Sequence, residues 1–548
     1  MTGLRRLLVA AVFLPAIGCT GRIGDAGTGS GGSTSVPVPD AQGNLPYSVP
    51  QPVAAALPAR TWRLTHVEYR KSVQTLTAVD VDTTNFEPET DGGLFANISN
   101  VNFVRLQLAT NYYDAAALVS DAMTDAQLRA LATPCGNLTA ACKADFIRNA
   151  LARAYRRPAT APEIAEIGEV FDVAVPSGEA ALPFRVAMQG ILTSPYFLYR
   201  TEIGSNAAQP SFQLTNHEVA SLLSYSLLGQ PPPATLLAAA DRGELTAPAS
   251  LRASVDALLA APEAAAPLRA FLFQWLTLTK FNDELYKFPD LFPGFDGVRT
   301  AMIDEANAFF TTHGAMNGNI ASLLTGSMPA PTGALGTFYS APGAGMGTRT
   351  GWLGLGAFQS VAAHANLSSP TLRGHFVRER ILCQHLSIPP GVPVLEDIEQ
   401  MGAQPTSTRD LYSLHATNAE CAGCHDALDQ IGFTFESFDG AGRFRTQELF
   451  RNQTTPVAIN TQGKLVNTDV NRPLANHTEL AEALASSAWV KECAAIQAFR
   501  YTFGYGEDVP RGLPPVMAGY QALSTGGSWR ALLAAVTTSA TTFERVRN

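Results

Sequence analysis

Leu214-Thr215-Asn216-His217-Glu218-Val219 reads as the start of a helix. The Thr215 hydroxyl is placed to accept from the third amide, and Glu218, three residues on, to reach back to the Thr215 amide. Val219 to Leu228 then carries apolar residues three and four apart, the period of one helix face. The same cap recurs in Leu64-Thr65-His66-Val67-Glu68-Tyr69 and in Thr160-Ala161-Pro162-Glu163. The same spacing runs through Phe146–Tyr155, Ile164–Val175, Phe184–Tyr199, Leu268–Leu278, Met302–Phe310, Phe376–Leu386 and Ile496–Tyr501. The chain therefore reads as mainly α. One stretch, Phe444 to Asn467, differs: Val457–Asn460 and Lys464–Val466 flank Thr461-Gln462-Gly463, which predicts a small β-hairpin. Gly- and Pro-rich Thr325–Gly351 reads as a loop. No internal repeat shows beyond the shared caps.

With 548 residues the chain exceeds what one core usually serves, so two to four packed units are expected. Hydrophobic residues at 46% and charged ones at 16% are globular, not disordered, composition. The net charge of −9, with no basic run, gives no footprint for nucleic acid. The first eighteen residues, MTGLRRLLVAAVFLPAIG, have a short basic region at Arg5-Arg6 and an apolar one from Leu7 to Ile17, as a secretory signal peptide does. Ala16-Ile17-Gly18-Cys19 resembles a bacterial lipobox, which makes Cys19 the expected lipidated first residue of a cell-envelope protein. Thr20 to Arg60 is rich in Gly, Ser and Pro, a tether beside that lipid. No later stretch has the ~20 apolar residues that span a bilayer, so the lipid is the one membrane contact expected.

Cys421-Ala-Gly-Cys424-His425 is the motif that carries chemistry. Two cysteines at this spacing add to the two vinyl groups of a porphyrin, and the adjacent His presents its imidazole to the iron. At this chain's Cys and His frequencies the pattern arises by chance on the order of once in a thousand such chains. Export fits, because c-haem is attached outside the cytoplasm. The rival readings lack support: no βαβ context suggests a thioredoxin-like pair, and no second CxxC completes a zinc site. A bare structural disulfide is the remaining alternative. Four further cysteines suit an oxidising compartment. Cys135 and Cys142 bracket a short loop, which leaves Cys383 and Cys493 to each other, although sequence alone does not fix the pairing. Candidates for the distal side of the iron are Met401, His415 and Met517, each also readable as an ordinary packing or surface residue. The other histidines, His313, His364, His375 and His477 among them, form no recognisable spacing. No Gly-x-Ser-x-Gly elbow, phosphate loop or HExxH is present, so hydrolase and kinase chemistry are unsupported.

Beyond Cys424-His425 come Asp429-Gln430-Ile431-Gly432-Phe433, Glu436-Ser437-Phe438-Asp439 and Gly442-Arg443-Phe444-Arg445. Together they resemble a family of exported bacterial cytochrome-like proteins built from domains of unknown function numbered fifteen-eighty-seven, fifteen-ninety-five, fifteen-ninety-two, fifteen-eighty-eight and fifteen-eighty-five. Gln430 stands where that family usually has Pro. Earlier modules are matched by Arg63–Tyr69, by Ala154–Pro158 and Leu192–Arg200, and by Phe271–Leu276 with Ser369–Gly374; Ala494–Tyr501 matches the last. The resemblance implies helical modules at 61–135, 136–206, 207–345, 346–470 (with the motif and hairpin) and 471–548, after the signal (1–18) and linker (19–60). The family has no established reaction to hand over; the motif itself sets the expectation of one haem c passing electrons to a redox protein or small redox substrate. A peroxidase-like enzyme and an envelope scaffold stay open as alternatives. The acids Asp429, Glu436 and Asp439 read best as a salt-bridged frame. Arg443 has two readings, a member of that frame or a partner of a haem propionate.

Overall fold

The computed structural model describes residues 45–53, 57–90, 94–206, 208–282, 284–341, 343–385, 405–413, 419–450, 453–506, 509–539 and 541–547. The protein is mainly α, with a few two- and three-stranded ladders. All three expected capping boxes form. Thr65 Oγ1 accepts from Glu68 N at 3.2 Å while Glu68 Oε2 accepts from Thr65 N at 2.8 Å, opening helix His66–Thr77. Thr215 and Glu218 do the same for Asn216–Leu228, and Thr160 with Glu163 for Ala161–Ala174.

Two cores follow. Helices His66–Thr77, Leu106–Ala122, Lys143–Tyr155, Ala161–Ala174 and Leu182–Thr193 close around Tyr69, Phe146, Leu151 and Ile191. A larger core joins the central helices, Ala265–Trp275 and Phe295–His313 among them, to Ala488–Phe503, Pro514–Ser524 and Trp529–Thr538 near the C-terminus. Among the described residues no helix is long and apolar enough to cross a membrane.

The ends are tied together by strands that the periodicity does not show. β1 (Leu57–Pro58) runs parallel to β9 (Glu544–Val546), and β4 (Ser211–Gln213) pairs antiparallel on its other side. β2 (Arg60–Arg63) pairs with β3 (Tyr199–Glu202). Where these ladders meet, buried Glu202 takes Arg60 at 3.0 Å and Arg545 at 2.6 Å. Runs of two to four residues are too short for alternation to register. The later half of the expected tether is docked: Leu45 N donates to the Thr468 carbonyl, Val53 N to that of Gly512, and the Tyr47 ring stacks on Tyr520 at 4.9 Å.

Four other expectations need correction. The single hairpin is two ladders: β5 (Gln447–Glu448) with β6 (Val457–Ala458), and β7 (Gly463–Leu465) with β8 (Arg472–Leu474). Gly463 serves close approach, not a tight turn: a Cβ there would overlap the Gln430 carbonyl of helix Ala419–Gly432. The periodic run Phe184–Tyr199 is broken at Ser194, which caps the short helix Pro195–Leu198, where Pro takes the first helical position. The run Phe376–Leu386 ends early. Helix Pro370–Phe376 passes into a π turn, Val377–Ile381, and Cys383 takes φ 51°; Leu386 lies outside the described residues. The loop Thr325–Gly351 contains a helix, Gly333–Tyr339, whose Leu335, Phe338 and Tyr339 are buried.

Candidate functional site

The motif lies in the first half of helix Ala419–Gly432. Helical pitch places positions 421, 424 and 425 on one face, since residues three and four apart lie over one another. Cys424 is a free, half-buried thiol, and beside it Gly423 is exposed with open space where a Cβ would stand. His425 Nδ1 lies 2.9 Å from Asp429 Oδ2, one turn further along the same helix. The other Asp429 oxygen accepts from Thr371 Oγ1 at 2.6 Å. Asp429 is only 3% exposed, so the pair is not a solvated surface contact. An imidazole whose Nδ1 proton is held by a carboxylate has its lone pair on Nε2, the tautomer that ligates a metal.

Two devices hold this helix in place. The first is backbone contact with the antiparallel helix Pro370–Phe376. A Cβ on Gly374 would overlap the Leu428 carbonyl, and one on Gly432 would overlap that of Pro370. That contact fixes Thr371 opposite Asp429. The second is buried arginine. Arg378, on the π turn, reaches the Ala427 carbonyl at 3.2 Å, the Val466 carbonyl at 2.7 Å and Gln384 Oε1 at 2.7 Å. Arg373 meets Glu436 at 3.2 Å and the carbonyls of Phe435, Phe438 and Asp439 at 3.1, 3.0 and 2.9 Å. Burial pushes both guanidinium groups down to about 10, still charged at neutral pH.

The acids and arginines after the motif divide between two tasks. Glu436 takes Arg445 at 2.8 Å, Arg373 and the Ser368 hydroxyl, and Arg445 also meets Glu448 at 3.1 Å. Asp439 takes Arg443 Nε at 2.7 Å. These form the expected salt-bridged frame. Asp429 departs from it, being bonded to His425 and Thr371. Arg443 Nη2 donates to the Leu291 carbonyl at 2.8 Å, so one of its donor groups serves the frame and another the backbone. The approach to the motif is anchored by Thr408, whose amide and hydroxyl both donate to Glu448, and by Tyr412, whose hydroxyl bonds Ser369 at 3.1 Å.

Cys135–Cys142 and Cys383–Cys493 are disulfides, the second joining the motif region to helix Ala488–Phe503 across 110 residues. Met517 lines a groove of about 320 Å³ with Tyr47, Glu492, Arg511 and Tyr520; no residue of the motif helix lines it. Met401, His415 and Cys19 lie outside the described residues, as does the Cys421 side chain. Of the other histidines, His313 bonds the Ser327 carbonyl, His375 pairs with Glu379 at 2.8 Å, and His477 is buried against Phe438. Among the described residues no three His, Cys, Asp or Glu side chains gather as a metal-ion cluster. Thr371, Gly374, Arg373 and Arg378 have no chemical signature in the sequence, because an arginine on a helix is ordinarily solvated.

The chain is a multi-module helical protein, and the family models that match it suggest a cytochrome-like multi-domain protein. Four family models match it in order: PSD3, protein of unknown function (DUF1587), over 62–125; PSD5 (DUF1595) over 142–202; PSD4 (DUF1592) over 214–340; and PSCyt3 (DUF1588) over 349–448. The chain belongs to this PSD/PSCyt series, and the motif falls within the PSCyt3 match. No curated protein and no solved structure matches it.

Proposed function

We propose that the protein is an exported, lipid-anchored, c-type cytochrome-like electron carrier. Cys421 and Cys424 would hold one haem through thioethers, and His425 would ligate its iron. The observation that carries this is the His425–Asp429 bond, which holds the imidazole in its metal-binding tautomer beside a free Cys424 thiol. The residues present fit the group: the Cys424 thiol is unspent, nothing lies within 4 Å of where a Cβ on exposed Gly423 would stand, and the family name of the matching module points the same way. Haem bound there supplies a one-electron iron couple. The chain's own part is to orient His425, to hold the motif helix through Gly374 and Arg378, and to shield it with the frame around Glu436. Cys19 carries the lipid, and electrons pass to a redox protein or small redox substrate at the cell envelope.

The test is expression with a periplasmic c-haem maturation system, followed by a denaturing gel stained for haem. A stained band in wild type that is lost in Cys421→Ala/Cys424→Ala supports the reading. A colourless wild type under full maturation rejects it. Labelling with a radioactive fatty acid, lost in Cys19→Ala, tests the anchor separately.

A further inference from the structure

We propose that Asp429, held by Thr371, is a positioning residue that makes His425 an unusually electron-rich ligand and so gives the haem a low reduction potential. This rests on the haem reading above. Two helices build the arrangement, each fixed independently of the haem. The motif helix sets His425 and Asp429 one turn apart, with Nδ1 and Oδ2 at 2.9 Å. Helix Pro370–Phe376 brings the Thr371 hydroxyl to the second carboxylate oxygen at 2.6 Å. Because Gly374 and Gly432 let the two backbones touch, the helix contact itself carries Thr371 beside Asp429. With one oxygen on Thr371 and the other on His425, the carboxylate is aimed at the imidazole.

The acceptor is what matters chemically. A neutral carbonyl accepting from Nδ1 orients the ring and does little else. A carboxylate also draws the Nδ1 proton toward itself, so negative charge accumulates on the ring and the Nε2 lone pair becomes a stronger donor. A stronger donor stabilises ferric iron more than ferrous, which lowers the midpoint potential. Burial strengthens the effect, because Asp429 and its partner sit where water screens them little. The Thr371 hydrogen bond acts in the opposite sense on charge, drawing density off the carboxylate, but it also fixes the geometry that the short Nδ1 contact needs. Alignment outweighs that loss of charge, since a hydrogen bond weakens steeply once bent or lengthened.

The test is potentiometric titration of the haem-loaded full chain, read optically, for wild type, Asp429→Asn, Asp429→Glu and Thr371→Val. Haem content is measured alongside by the pyridine haemochrome spectrum. Asp429→Asn is expected to raise the midpoint potential with haem retained. Asp429→Glu, which keeps the charge, should restore part of the wild-type value, and Thr371→Val should shift it upward by less than Asp429→Asn. A purely structural Asp429 would leave the potential unmoved, and that result in Asp429→Asn overturns the proposal. Should Asp429→Asn not fold, Thr371→Val decides alone: a rise supports the proposal and an unchanged potential overturns it. A wild-type chain without haem overturns this proposal and the haem reading together, while an unmoved potential in a loaded variant overturns this one alone.

Discussion

The helical unit from Trp62 to Glu202 and the region around the motif helix are both well packed, but the balance of forces differs, although buried Arg156 grips the Phe197, Tyr196 and Tyr199 carbonyls in the first as well. In the first, helices meet through apolar side chains: Phe146, Phe171 and Phe184 pack edge to face at 4.9–5.0 Å, with Leu151 and Ile191 fully buried. In the second, guanidinium groups grip backbone carbonyls and glycines bring main chains into contact. The two should therefore respond differently to the same kind of change. Apolar packing tolerates swaps that keep volume, whereas a carbonyl-gripping guanidinium tolerates almost none, because its planar set of five donors has no substitute.

The widest gap is expected between Arg373→Lys and Leu151→Met. Lysine keeps the charge but cannot serve Glu436 and three carbonyls together. A loss of about 3 kcal/mol or more is expected, since each buried carbonyl left without its donor costs about 1–3 kcal/mol. Leu151→Met should cost under about 1.5 kcal/mol. Urea denaturation of both variants measures the difference; equal losses would remove the distinction between the regions.

Acid should separate them next. His477 sits against Phe435 and Phe438, and its Nε2 accepts from Thr350 N. Burial, then Arg349 and Arg373, push it down to about 4. It is neutral in the fold, and the unfolded chain takes up the proton below its ordinary value of 6.5. Its contribution is thus intact above pH 6.5 and is lost as pH falls toward 4, on the order of 3 kcal/mol in full. His66, in the first unit, is also lowered to about 4, by burial and then Arg63, but sits nearer the surface. Denaturation at pH 7, 5.5 and 4 should show His477→Gln flattening the acid dependence more than His66→Gln does. The reverse order would place the acid-sensitive core in the N-terminal unit.

Glycine gives a smaller contrast. Gly190, in helix Leu182–Thr193, has only Val170 and Ile167 carbons at 3.4–4.0 Å from an added Cβ, which is ordinary contact. Gly190→Ala should be neutral or stabilising by up to about 1 kcal/mol, since alanine has less backbone freedom to lose. Gly374→Ala must push the two helices apart, at about 1–3 kcal/mol. Thermal melts of the pair decide; a Gly374→Ala protein as stable as wild type would mean the backbone contact is slack.

These contrasts explain what could be read in advance. Helices announced by a cap and an apolar stripe were legible because both signals are local; the boxes at Thr65, Thr160 and Thr215 formed as their residues implied. The motif stood out as a candidate site from its own spacing. Its setting did not. Gly463 reads as a turn residue and is used for close approach, and Arg373 and Arg378, of a residue type ordinarily solvated, are fully buried. β9 pairs with strands over 300 residues earlier, beyond any local pattern. Long-range polar contacts leave no periodicity, so the structure was needed to show that Thr371 holds Asp429 from another helix, although His425 and Asp429 themselves stand four residues apart on one helix.

The caps themselves carry the smallest test, because only half of each is local. The three capping glutamates, Glu68, Glu163 and Glu218, are 7–8% exposed, and each has a second task. Glu68 Oε1 lies 3.3 Å from Arg200, Glu163 pairs with Arg157 at 2.6 Å, and Glu218 accepts from the amides of Ile203 and Gly204. The threonines have no such partner in their boxes beyond the helix end. Thr65→Ala should therefore cost only the local share, about 1 kcal/mol. Glu68→Gln removes the same cap's return bond as a charged acceptor and leaves buried Arg200 without its counter-ion, so it should cost more. Urea denaturation of the two variants reads the split directly. A Thr65→Ala loss as large as that of Glu68→Gln would mean the box acts as one local unit, and the glutamate's reach to Arg200 adds nothing to the fold.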